Sequence, residues 1–113
     1  MVTGTAVDLA VAKGGLGTDG GVTHGARLVA FTEAVMRADD AAIGRERGLL
    51  RGLVSPAALV DAAGLIGAFN TVDRIADATG IPLDEPLVEA SAEVRHALDL
   101  GRFASAANTP GAR

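Results

Sequence analysis

The segment from Ser55 to Pro82 constrains this chain more than any other. Ser55-Pro56 puts a hydroxyl oxygen at a helix N-cap and a proline at the first helical position, where a missing N–H is harmless. The helix these residues begin runs to about Thr79, where Gly80 stops it and Pro82 prevents its resumption. Leu59, Ala62, Ala63, Ile66, Phe69, Val72 and Ala76 recur at helical spacing and predict one broad apolar face. Asp61, Asp73, Arg74 and Asp77 are its polar positions. Gly64 and Gly67 would let another helix approach closely.

The remaining composition agrees with packed helices. Of 113 residues, 49% are hydrophobic, with no Trp or Tyr and only three Phe (Phe31, Phe69, Phe103). Strand formers are scarce, and Ala, Leu and Gly are abundant. The expected class is all-α, with three to four helices around one modest core. A core built from small aliphatic residues is often completed by a partner subunit, so a homo-oligomer is expected. A net charge of −4 without aromatic platforms argues against nucleic acid. The absence of Cys excludes a disulfide, a thiolate nucleophile or a dithiol redox pair in this chain. No basic segment followed by an apolar run marks a signal peptide at the N-terminus. The most apolar run, Ala57–Val72, is broken by Asp61 and Asn70 and is too short to span a bilayer. No membrane association is expected, and the cytoplasm is the expected location.

Three regions follow in order. Residues 1–23 form a Gly-rich arm, with Gly14, Gly15, Gly17, Gly20 and Gly21 predicting flexibility. Residues 24–103 form the helical domain, and 104–113 a flexible tail. The first helix is predicted to start near Thr23 as N-cap and to end near Arg37–Asp40, with Leu28, Phe31 and Val35 as its apolar stripe. A second, shorter helix is predicted over Ile43–Arg51. Leu49, Leu50 and Leu53 face inward on it, Arg45, Glu46, Arg47 and Arg51 face solvent, and Gly52 closes it. The last helix starts around Asp84–Pro86, carries Leu87, Ser91, Val94 and Leu98 at heptad-like spacing, and ends at Gly101.

Few residues carry chemistry. Gly15, Gly17 and Gly20 satisfy Gly-x-Gly-x-x-Gly, but "DDAAIGRERG" does not supply the second strand that a dinucleotide-binding βαβ unit needs, so a Gly-rich arm is the better reading. His24 and His96 lack nearby His or Cys ligands, and no metal site is expected. Both read as solvated histidines. His24, beside the Gly-rich loop, is the one candidate general base. Asp39-Asp40 and Asp84-Glu85 flank helix ends, where acids cap or complement the dipole. Asn70, Asp73 and Arg74 share one helical face, with Asp77 a turn further on. The cluster reads either as a polar seam for helix packing or assembly, or as a pocket wall offering an amide, a carboxylate and a guanidinium. The first reading is preferred.

These residues resemble a known family. "LVAFTEAVMR" followed by "LLRGLVSPAALVDAAGLIGAFNTVDRIADATGIPLD" is similar to the C-terminal half of alkylhydroperoxidase-like proteins of the carboxymuconolactone decarboxylase superfamily. Phe31-Thr32-Glu33, Gly52, Ser55, Phe69-Asn70, Arg74, Ala76-Asp77-Ala78 and Gly80 match its pattern, and Asp73 stands where Asn is usual. The resemblance covers about residues 27–84. It implies an alkylhydroperoxidase-like helical half-domain, in which the helix carrying Phe69-Asn70, Asp73 and Arg74 supports the site and the subunit contact. The family's peroxidase branch carries a Cys-x-x-Cys and a His upstream, and here the Gly-rich arm occupies that place.

The resulting expectation is a non-catalytic helical module. It acts through oligomerisation or joins a protein partner that supplies the missing helices, without dithiol peroxidase activity and without a cofactor. Phe69, Asn70, Asp73, Arg74 and Asp77 form its motif. The alternative is a cysteine-independent small-molecule binder or decarboxylase-branch enzyme, in which His24 transfers a proton and Arg74 binds an anion.

Overall fold

In a computed structural model of the chain, residues 6–13 and 18–111 are described. Among them no strand forms, and the architecture is all-α. Five α-helices follow in order: α1 (Gly25–Met36), α2 (Asp40–Arg51), α3 (Pro56–Thr79), α4 (Glu85–Ala90) and α5 (Ala92–Ala97). Short 3-10 turns cover Leu9–Lys13, Leu100–Arg102 and Ala104–Asn108. The chain divides into two compact units, residues 1–70 and 71–113, with α3 contributing to each.

In the first unit α1 packs on α2 as an αα-hairpin closed by Arg37, Ala38 and Asp39. Its core is small: Phe31, Ala34, Ala42 and Leu50 are buried, and Leu50 has no accessible surface. Arg27 reaches across the hairpin, its Nη1 lying 3.1 Å from Glu46 Oε2. Glu46 therefore does not belong to the solvent side with Arg45, Arg47 and Arg51: its side chain is only 15% exposed. Leu49 and Leu53, expected to face inward, are exposed, and Leu50 alone of the three fills the core. A helix this short has room for one stripe, and Ala42 and Leu50 occupy it.

Helix boundaries also depart from the sequence reading. Helix α1 starts at Gly25 with His24, not Thr23, as its N-cap residue, and no side chain of either caps it. Asp19 does that work from the preceding loop, where its Oδ1 accepts from the Ala26 N–H at 2.9 Å. Gly25 permits this approach, because a Cβ there would collide with the Asp19 carbonyl. Helix α2 starts earlier than Ile43, at Asp40, since the Asp39 carboxylate accepts from the Ala42 N–H at 3.0 Å. Around these, the described residues of the N-terminal segment are tied down: the Asp8 N–H donates to the Gly20 carbonyl at 2.9 Å. Gly14, Gly15 and Gly17 lie outside the described residues.

Helix α3 follows its sequence signals closely. Ser55 Oγ accepts from the Ala58 N–H at 3.1 Å. At the other end Gly80 takes φ +67°, and the Ile81 N–H reaches back to the Ala76 carbonyl at 3.2 Å, closing a Schellman-type cap.

The second unit holds the end of α3 and the two short helices α4 and α5. A single C-terminal helix was expected, and the structure breaks it at Ser91, whose φ/ψ of −101°/5° leaves the helical range. The cause is local. Ser91 Oγ donates to the Leu87 carbonyl at 2.6 Å, and Arg95 Nη1 contacts both that carbonyl (3.4 Å) and the Ser91 hydroxyl. Back-bonding of this kind bends helices. The residues expected as a tail turn back into this unit, where Thr109 Oγ1 accepts from the Leu83 N–H at 2.7 Å.

Candidate functional site

Two features of the described residues stand out as surfaces that could do something: the exposed apolar side of α3, and a cleft in the second unit. Helix α3 leaves no residue fully buried. Leu59, Ala62, Ile66 and Asn70 are half-buried and mark the stripe facing the protein. Phe69 and Val72, expected on that stripe, lie outside it and are 62% and 54% exposed. Val60, Leu65 and Ile75 are exposed at 69%, 58% and 53%. Apolar residues thus surround α3, so periodicity alone could not say which of them face inward. Among the described residues, no heavy atom of another element lies within 4 Å of where a Cβ would stand at Gly64 or Gly67.

The motif residues are distributed along this helix. Asn70 is half-buried, and Asp73, Arg74 and Asp77 are exposed. Asn70 belongs to the first unit and Asp73, Arg74 and Asp77 to the second. His24, the candidate proton carrier, is half-buried in the first unit with φ +60°. His96 is exposed on α5. Among the described residues no group of three or more His, Asp and Glu is placed to hold a metal ion.

The cleft has a volume of about 540 Å³, within the range of small-molecule sites. Ala76 and Asp77 of α3 form one side, and Ile81, Pro82 and Leu83 follow from the loop after it. Ser91, Val94 and Arg95 enter from α5 and its start. The returning C-terminal segment closes the rest with Leu100, Phe103, Ala106, Asn108 and Thr109. Most of this surface is apolar. Arg95 is half-buried and Asp77 exposed, so the guanidinium sits in the less hydrated surroundings. The Arg102 Cζ lies 4.8 Å from the centre of the Phe103 ring, a cation–π distance.

Of the candidate site and motif residues His24, Phe69, Asn70, Asp73, Arg74 and Asp77, Asp77 alone lines this cleft. Asn108 and Thr109 were missed because residues 104–113 read as a tail, and Arg95 and Phe103 because nothing in their spacing sets them apart in the last helix and the residues after it. The one signal available was the cluster of Asn108, Thr109 and Pro110, a turn composition that suggests a reversing chain.

No family model, curated protein or solved structure matches this chain. No helix among the described residues is long and apolar enough to cross a membrane.

Proposed function

We propose that this chain is a non-catalytic assembly module whose α3 is covered by further helices, in the first instance those of a second copy. The observation that carries this reading is the exposure of Leu65 and Phe69, four residues apart on one face of the helix and each more than half accessible. Scattered apolar residues on a surface are ordinary, but large apolar side chains grouped on one helix face favour an interaction site. Gly64 and Gly67 on the same helix allow close backbone approach. The resemblance of residues 27–84 to alkylhydroperoxidase-like proteins supports the same role, since there the corresponding helix contributes to the subunit contact. Without Cys the chain carries out no dithiol chemistry of its own.

The test is the solution mass by light scattering of wild type and of Leu65→Glu, with helicity followed by circular dichroism. Leu65 is exposed, so a charge there leaves the monomer intact and breaks a helix interface. The expected result is an oligomer for wild type and a helical monomer for the variant. A wild type that is monomeric and unfolds cooperatively would overturn the reading.

A further inference from the structure

We propose that the cleft of the second unit binds a small uncharged apolar molecule with one hydrogen-bonding group, of the class of the aryl-alkyl alcohols. This goes beyond the assembly reading and uses residues of the other unit. The cleft measures about 540 Å³, and Ile81, Leu83, Val94, Leu100 and Phe103 converge on it although each is at least 36% exposed. Pockets of this size and character take small molecules, and a ligand that covers these side chains removes apolar surface from water.

The absence of charge on the ligand follows from the charges of the lining. Among the described residues the lining carries one cation, Arg95, and one acid, Asp77, so it sums to zero and gives neither an anion nor a cation a net counter-charge. Arg95 is engaged by the chain itself, its Nη1 contacting the Leu87 carbonyl at 3.4 Å and the Ser91 hydroxyl. Asp77 is exposed and remains solvated. Arg102 lies over the Phe103 ring at 4.8 Å and is not part of the lining. A charged ligand would therefore give up hydration against an apolar wall without an ion pair in return. A single hydroxyl is different, because the Ser105 hydroxyl and the Asn108 amide stand beside the apolar wall and both donate and accept.

The test is a titration of the full ¹⁵N-labelled chain with 4-phenylbutanol, 4-phenylbutyrate and 4-phenylbutylamine near neutral pH, following backbone amide shifts. The expected result is saturable binding of the alcohol, with shifts concentrated at residues 81, 83, 94 and 100–109. The acid and the amine, of nearly the same shape, are each expected to bind about tenfold more weakly, as befits the uncompensated desolvation of a charge. Phe103 is half exposed, so Phe103→Ala spares the fold and is expected to weaken alcohol binding about tenfold. Val94→Glu, which adds an acid to the lining, is expected to abolish the preference for the alcohol over the amine. The comparison of the three compounds on wild type stands even if a variant fails to fold. Binding of the acid or the amine as tight as that of the alcohol would overturn the uncharged class. Absence of binding, shifts confined to residues outside the cleft, or an unchanged affinity in Phe103→Ala would overturn the cleft as a site.

Discussion

Thr109 Oγ1 accepts a hydrogen bond from the Leu83 N–H at 2.7 Å, joining residues 26 positions apart. It fastens the returning C-terminal segment to the loop after α3, beside Gly80, whose open position lies against the Asn108 amide. Replacing Thr109 with Val keeps the shape and removes the acceptor, at a cost of about 1 kcal/mol. Hydrogen exchange of the Leu83 amide is expected to accelerate in Thr109→Val and to remain slow in Thr109→Ser.

The first unit separates its leucines clearly. Leu50 is fully buried and Leu49 is 49% exposed, although they are neighbours in sequence. Leu50→Ala is expected to cost about 2–5 kcal/mol, as large-to-small core substitutions do. Leu49→Ala is expected to fall within about 0.5 kcal/mol of wild type. Urea midpoints of the two variants, measured at one protein concentration, decide the matter. Equal losses would mean that Leu49 is buried in solution by something outside this chain's own core.

Asp19 and Asp39 each accept from the first turn of a helix, through Ala26 and Ala42 respectively. Asp19→Ala and Asp39→Ala are each expected to lose about 1 kcal/mol, with Asn at either position retaining most of it. Thermal melts followed at 222 nm, the wavelength of helical ellipticity, report both. Thr23→Ala, by contrast, is expected to leave the melt unchanged.

Ala38, in the link between α1 and α2, is held at φ +53°, a region that L-residues with a Cβ avoid. Ala38→Gly is expected to stabilise the hairpin by about 0.5 kcal/mol, since relief of strain exceeds the added freedom of the unfolded chain. A lower melting temperature for Ala38→Gly would show that the strain is compensated by contacts of the methyl group.

What the sequence made legible was chemistry between near neighbours. Ser55-Pro56 and Gly80 set the ends of α3, because caps act over three or four residues and leave a readable spacing. The all-α class followed from composition for a similar reason, as a bulk preference that no single contact overrides. The cap of α1 was illegible because Asp19 reaches it from a loop rather than from the adjoining residue. The break at Ser91 was illegible because a serine that bonds back to the Leu87 carbonyl has the same spacing as one that faces water. The direction of Phe69 was hidden by apolar residues on every side of α3. The cleft was hidden because its walls come from residues spread between Ala76 and Thr109, and the turn of the last segment onto Leu83 is a tertiary contact.

The short link of Arg37, Ala38 and Asp39 has a kinetic meaning. It makes the contacts between α1 and α2 local in sequence, and helical units dominated by local contacts fold in microseconds to milliseconds. Chains emerge from the ribosome at about 5–20 residues per second, far more slowly. The hairpin therefore completes while residues beyond Arg51 are still being added. Helix α3 thus emerges after a hairpin that has had time to close.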